Sequence, residues 1–265
     1  MMILHGKTDI GQRRKVNQDT FLLQRPAPDA ALCVICDGMG GVVGGAEASC
    51  MACDAFCLSL REQLEEGLSG LNTLCSDAAA VEARRACIEA TIPDALVEAV
   101  EAANAAVYSA AENDPALQGM GTTLVALFVW GDYACAVNVG DSRLYAITAE
   151  GARQLSHDHS YVQYLIDMGK LTPEEAKQST NRNIITRAVG TTPQIDSDII
   201  RIEPELLAQA TFLLCSDGLS GMLEDSEIAA IVNGGLTTEE AVDALVARAN
   251  EMGGTDNITV VLCRK

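Results

Sequence analysis

Four aspartates stand where an apolar, strand-like run ends, each with glycine nearby. Leu32-Cys33-Val34-Ile35-Cys36 runs into Asp37-Gly38, and Phe212-Leu213-Leu214-Cys215 runs through Ser216 into Asp217-Gly218. Val137-Asn138-Val139-Gly140 leads into Asp141, and Gly253-Gly254-Thr255 leads into Asp256, just ahead of the run Asn257–Cys263. Carboxylates fixed at strand tips suit hard divalent cations such as Mg²⁺ or Mn²⁺, and glycine lets a backbone carbonyl approach the same ion. Any one Asp-Gly also reads as an ordinary turn after a strand. Four together at strand ends weaken that reading.

The other reactive-looking groups divide in the same way. The run Gly38-Met39-Gly40-Gly41-Val42-Val43-Gly44-Gly45 lacks the Gly-Lys-Ser/Thr ending of a phosphate loop, and Val43 occupies the third glycine position of a dinucleotide fingerprint. It reads either as a turn into a helix from Glu47 or as a loop around metals, with Gly38 offering its carbonyl. Arg13-Arg14-Lys15, ahead of Asn17-Gln18-Asp19, is a basic cluster in an acidic chain. It is either a solvated strand edge or an arginine fork for a phosphate dianion. His157 and His159 lack a third zinc ligand at helical spacing and read as structural or surface residues. The ten cysteines fall mostly in apolar runs, or at i, i+3, i+7 in Cys50, Cys53 and Cys57, which predicts reduced, buried thiols rather than disulfides or zinc. None has an arginine six positions on, so a cysteine nucleophile is disfavoured.

The elements that must position these groups follow from the pattern. Strands are expected at Thr20–Gln24, Ala31–Cys36, Thr122–Trp130, Tyr133–Val139, Arg143–Thr148, Thr211–Cys215 and Asn257–Cys263. Two long Ala-rich helices are expected at Glu47–Leu68 and Asp94–Glu112, the second started by Pro93-Asp94, with a loop and a further helical stretch over Ser69–Ile92. Shorter helices are expected at Ser160–Met168, Ser226–Val232 and Thr238–Met252, the last stopped by Gly253-Gly254. Strands, two helices, then hairpin-linked strands describe an α+β layered fold rather than βαβ units. With no Pro-rich linker or low-complexity tract, one domain over 1–265 is expected.

Composition narrows the class. Acidic residues outnumber basic ones 37 to 18, for a net charge of −19. That argues against nucleic acid or an anionic membrane as partner. Apolar residues make up 48% of the 265 positions, enough for a sizeable core, yet no run approaches the roughly 20 residues of a membrane span. Met1 to Thr20 holds no secretory apolar region. A cytoplasmic protein is expected.

Taken in order, eight blocks resemble the metal-dependent serine/threonine protein phosphatases of type 2C, in their short bacterial form. They are Thr8-Asp9-Ile10-Gly11 with Arg14 and Asn17-Gln18-Asp19; Asp37-Gly38-Met39-Gly40-Gly41; Gly121-Thr122-Thr123; Asn138-Val139-Gly140-Asp141-Ser142-Arg143; Asp158-His159-Ser160; Ile184-Ile185-Thr186-Arg187-Ala188-Val189-Gly190; Cys215-Ser216-Asp217-Gly218-Leu219; and Gly253-Gly254-Thr255-Asp256-Asn257-Ile258-Thr259. The resemblance implies a four-layer α-β-β-α sandwich, two antiparallel sheets with helices outside, and a binuclear Mn²⁺ or Mg²⁺ centre at one end. Asp37 would bridge both ions, Gly38 would give its carbonyl to one, and Asp217 and Asp256 would ligate the other. Asp19 would orient the attacking water, Arg14 would hold the substrate phosphate, and Asp141 with Asp217 would form a third, weaker metal site. The stretch from Asp158 to Gly190 would be a mobile flap.

The resemblance also implies phosphorylated protein substrates, targets of a Ser/Thr kinase, and a monomer. Three departures stand out. Gln18 replaces a glutamate common in eukaryotic members, Met39 replaces their proposed acid histidine, and Ser179-Thr180 replaces a His-Pro pair in the flap. None touches Asp37, Asp217 or Asp256, so activity is expected. A catalytically silent phosphoprotein-binding module, or a nuclease or small-molecule phosphatase on the same acidic cluster, are the alternatives.

Overall fold

The computed structural model describes residues 2–26, 29–69 and 78–265. One sheet has the order β1-β11-β10-β7-β8, from β1 (Ile3–Asp9), β7 (Arg143–Thr148), β8 (Gly151–Gln154), β10 (Thr211–Cys215) and β11 (Ile258–Arg264). The other has the order β2-β3-β5-β6-β9, from β2 (Asp19–Gln24), β3 (Ala30–Met39), β5 (Leu124–Trp130), β6 (Tyr133–Val139) and β9 (Asp198–Ile202), with β4 (Gly121–Thr122) paired to the end of β3. Every pairing described is antiparallel.

The central strands are apolar at nearly every position because both faces are covered. On β10, Phe212 and Leu214 point between the sheets, where they meet Ile35, Val125, Leu127 and Val261. Leu213 and Cys215 point outward onto α7 (Asp225–Val232) and α8 (Thr238–Glu251), against Ile228, Val242, Leu245 and Val246. The far face of the second sheet packs on α1 (Gly41–Ser69) and α2 (Ala78–Asn113) through Ala48, Ala52, Phe56 and Leu60 of the first and Leu96, Ala99, Val100, Ala103 and Val107 of the second. Each helix therefore presents one buried stripe at i, i+3/i+4 spacing, as an amphipathic helix on a sheet must. This is the expected four-layer α-β-β-α sandwich.

Several boundaries differ from expectation. The helix expected from Asp94 begins at Ala78 and runs through Pro93. Pro93 gives up one backbone hydrogen bond there, and the burial of Ile92, Leu96 and Val100 on the sheet side holds the helix continuous across it. Residues 70–77, within the expected Ser69–Ile92 segment, lie outside the described residues. Helix α1 begins at Gly41 rather than Glu47, so the second half of the glycine run is helical. The expected strand Thr122–Trp130 is divided at Thr123, with consequences for Asp37 given below. Strands β1, β8 and β9, together with α4 (Pro173–Lys177), α5 (Pro204–Gln209) and α6 (Asp217–Ser220), lie where no element was expected. Helix α8 starts at a Thr237–Glu240 capping box, and the Gly254 N–H closes it onto Ala249.

Of the eight cysteines whose environment is described, seven are buried, Cys50 is exposed, and all are free thiols. The segment Asp158–Gly190 carries α3 (Tyr161–Asp167) and α4. Its base is fastened at both ends: Ser160 bridges Ile185, and Thr122 bridges Val189.

Candidate active site

Antiparallel order places five of the acidic residues at one end of the sandwich. Asp19 opens β2 and pairs with Asp37, near the end of β3. Asp141 lies in the turn from β6 to β7, Asp217 follows β10, and Asp256 precedes β11. Arg14 reaches the same end from the β1–β2 loop, where it donates to Asp256 Oδ2 at 2.6 Å.

Hydrogen bonds fix the chain around Asp37 and the carboxylates of Asp19 and Asp256. Thr123 interrupts the second sheet to grip Asp37: its Oγ1 accepts from the Asp37 N–H at 2.9 Å, and its own N–H donates to the Asp37 carbonyl at 2.9 Å. The hydroxyls of Ser216 and Thr259 donate to Asp19 Oδ2 at 2.8 and 2.6 Å. Asp256 Oδ1 accepts from the Asn257 N–H at 2.8 Å, while the Asn257 amide donates to the Ile10 and Val16 carbonyls and so fixes the loop that carries Arg14. Two glycines allow the backbone to close around these groups. A Cβ on Gly38 would stand 1.9 Å from the Gly45 carbonyl oxygen, and one on Gly218 would stand 1.9 Å from that of Asn257.

Asp141 is supported through His159. The His159 Nδ1 accepts from the Gly140 N–H at 3.0 Å, and its main chain donates to the Gly140 carbonyl at 2.9 Å. The ring's other nitrogen lies 3.1 Å from Asp198 Oδ2 and 3.0 Å from the Arg187 guanidinium. An Nδ1 that accepts carries no proton, so the ring is neutral with its hydrogen on Nε2, and burial lowers its pKa accordingly. Beside it, Arg143 grips Asp158 through two nitrogens at 2.6 to 3.0 Å. His157 is exposed and pairs with Asp167. Both histidines are structural or surface residues, as their flanks suggested.

The electrostatics of this end are those of like charges forced together. Burial, then the charges of Asp19, Asp217, Asp141 and Asp256, hold the Asp37 carboxyl well above the usual carboxylate range. Burial and the same neighbours push Asp217 up to about 8. Burial and Asp158 push Asp141 up to about 6. Asp19 is also raised by burial, which outweighs its two hydroxyl donors. Two buried oxygens, Asp19 Oδ1 and Asp217 Oδ1, have no hydrogen-bond partner. A buried, unpaired carboxylate oxygen is costly, and a divalent cation is the partner that would satisfy several at once.

The donor set fits hard cations: carboxylates with a backbone carbonyl beside them. Among the described residues, no group of three or more His, Cys, Asp or Glu side chains is already arranged to hold an ion as it stands, and Asp256 is turned onto Arg14 instead. The mutual repulsion and the two unpartnered oxygens are what cation binding would relieve. A cavity of about 650 Å³ opens from Asp141, Asp217 and Asp256 and is lined further on by residues of α3 and α4.

The sequence blocks contain Thr123, Ser216, Asn257, Thr259 and His159 but carry no signal of their holding roles, because each role depends on a contact far along the chain. The nearest clue was the Thr-Thr pair at Thr122-Thr123, two adjacent hydroxyls in an otherwise apolar run.

An α-β-β-α sandwich with a buried acidic cluster at one end fits a metal-dependent hydrolase, and comparisons with known proteins give the family. The protein phosphatase 2C family model matches residues 8–262. The serine/threonine phosphatase stp of Listeria monocytogenes serotype 4b (strain F2365) is 33% identical over 259 residues, covering 98% of this chain and 94% of that protein. The crystal structure of the serine/threonine phosphatase Stp1 from Staphylococcus aureus superposes with a TM-score of 0.81 at 31% identity, over 100% of this chain and 95% of that one. The catalytic domain of the serine/threonine protein phosphatase PstP, solved with two manganese ions, gives a TM-score of 0.76 at 29% identity, over 99% and 97%. The chain belongs to the protein phosphatase 2C family and is a serine/threonine protein phosphatase of that type. No helix among the described residues is long and apolar enough to cross a membrane.

Proposed function

We propose that this phosphatase hydrolyses phosphoserine and phosphothreonine with divalent cations, Mn²⁺ or Mg²⁺, held at the acidic end of the sandwich. Asp37, the Gly38 carbonyl, Asp217 and Asp256 would hold two ions, and Asp141 with Asp217 a third, weaker one. The observation that carries this reading is the crowding of Asp19, Asp37, Asp141, Asp217 and Asp256, with buried oxygens lacking partners. The PstP catalytic domain solved with two manganese ions supports it. When bound, such ions activate water and offset charge on the phosphoryl oxygens.

This chain's residues supply the rest. Asp19, anchored through Oδ2, keeps Oδ1 free to accept a hydrogen bond from the attacking water and orient it. Arg14, whose side chain is 49% exposed beside Asp256, is placed to take the substrate phosphate through its planar fork. Residues 1–265 would act as one catalytic unit, monomeric and cytoplasmic, with 158–190 as a flap. Its substrates would be proteins phosphorylated by a Ser/Thr kinase.

The test is phosphate release from a phosphothreonine peptide with added Mn²⁺, against the same assay in EDTA. Release that depends on Mn²⁺ and stops in EDTA is expected. Equal release in both would overturn the proposal.

A further inference from the structure

The cavity lined by α3 and α4 is much larger than a phosphate group needs. At about 650 Å³ it lies within the range of sites that enclose whole ligands, about 300–1,000 Å³. One end is the acidic cluster. Beyond it the wall is mixed: Val162 and Ile166 of α3 and Met222 between α6 and α7 stand among the polar Gln163, Asn183 and Ser226. Charges lining this part largely cancel in pairs. Arg143 is bound to Asp158 through two nitrogens, and Lys177 Nζ lies 2.5 Å from Glu224 Oε2, joining the flap to the start of α7. Asp225 and Arg182 remain, one of each sign.

A neutralised, partly apolar cavity continuous with the reaction centre selects by shape and burial rather than by charge. We propose that it takes an apolar side chain from the residue next to the phosphorylated one, so that the enzyme prefers phosphothreonine flanked by leucine. This rests on the phosphoprotein reading above. Successive Cα atoms are about 3.8 Å apart, so the residue next to one whose phosphate lies at the acidic end is within reach of this space. Burying that side chain against Ile166 and Met222 would add binding energy that a charged or absent side chain cannot supply.

The test compares phosphothreonine peptides that differ only in the two flanking residues, Leu, Gly, Lys or Asp, assayed with saturating Mn²⁺ alongside an aryl phosphate. The expected kcat/KM for the leucine peptide exceeds the others by about tenfold or more. Ile166→Asp should remove that preference and favour lysine, and Met222→Lys should shift it toward aspartate. Ile166→Leu should retain it, and all three variants should keep the aryl-phosphate activity that reports an intact fold and centre. Equal rates on the four peptides, or a leucine preference unchanged in both charged variants, would overturn the subsite while leaving the catalytic reading intact. Absence of Mn²⁺-dependent turnover on every peptide would overturn that reading, and the subsite with it.

Discussion

Asp19 stands directly opposite Asp37 across the β2–β3 pair, and the two carboxylates lie within each other's field at the buried end of the sandwich. Two such groups without a cation between them oppose folding unless protons are retained. Metal-stripped protein should therefore lose stability as pH rises. The Asp217 carboxyl keeps its proton up to about 8, whereas an aspartate in the unfolded chain releases it near about 3.9. Between these values the folded state binds more protons, so the contribution is complete below the lower value and is lost as pH climbs through the upper one. Thermal melts of the metal-free protein at about pH 5 and about pH 8 should show the decline, and saturating Mn²⁺ should remove or invert it. A metal-free melting temperature that rises over this interval would contradict the assignment.

Asp37→Asn, Asp217→Asn and Asp256→Asn should each cost more turnover than the about 10- to 100-fold typical of losing an outer-shell partner. Asp19→Asn should fall within that range, since Asp19 is tied to Ser216 and Thr259. Stability should move the other way. Removing one of several crowded like charges leaves the metal-free melting temperature of Asp37→Asn equal or higher, while the increase on adding Mn²⁺ shrinks. Steady-state kinetics and paired melts check both halves.

One pair of variants separates the observed pairing of Arg14 with Asp256 from its proposed hold on the substrate phosphate. In the metal-free protein it neutralises Asp256 at 2.6 Å, a contact exposed enough to be worth at most about 1 kcal/mol. Arg14→Ala should raise KM for the phosphopeptide and weaken inhibition by inorganic phosphate. Mn²⁺ affinity should not fall, because Asp256 loses a competing cation. Arg14→Lys should recover only part of the loss, since it keeps the charge without the planar fork. Unchanged KM and phosphate inhibition in Arg14→Ala would leave the residue as a solvated edge charge.

Asp141→Ala should discriminate between substrates. Met39 carries no titratable proton, so on the proposed reaction the departing serine or threonine oxygen needs another proton source at this end of the fold. A water acidified near Asp141 fits that need. An aryl phosphate leaves as a stabilised phenolate and needs little such help. The variant should keep much of its aryl-phosphate activity and lose most phosphopeptide activity. Equal losses on the two would indicate a general defect.

The positions of the clustered aspartates were legible because strand ends are legible. Apolar runs such as Leu32–Cys36 and Phe212–Cys215 are unbroken where sheets are covered on both faces, and the aspartates follow them directly. Of the four edge strands β2 was legible, but β1, β8 and β9 were not: β1 and β9 are only half buried, so the pattern of apolar residues is diluted by Lys7, Asp198 and Arg201. Helix α2 overrode the start signal read at Pro93-Asp94, because packing of Ile92 and Leu96 outweighs the bond lost at Pro93. The supports of the site were hidden for a different reason. Asp19 and Thr259 are 240 positions apart, and only the fold brings that hydroxyl to that carboxylate. His159 read as structural from its flanks, and its buried ring holds the chain just before Asp141.

The central claim is that this acidic end is a divalent-cation site. Calorimetric titration of Mn²⁺ into metal-stripped protein tests it most directly, with Asp37→Asn and Asp217→Asn titrated in parallel and proton release followed in two buffers. The account predicts saturable binding in the wild type with release of protons at about pH 7, as carboxyls held above their usual range give up their hydrogens to the ion, and a large loss of affinity in both variants. Absence of saturable binding in the wild type, or equal binding in all three proteins, would contradict it.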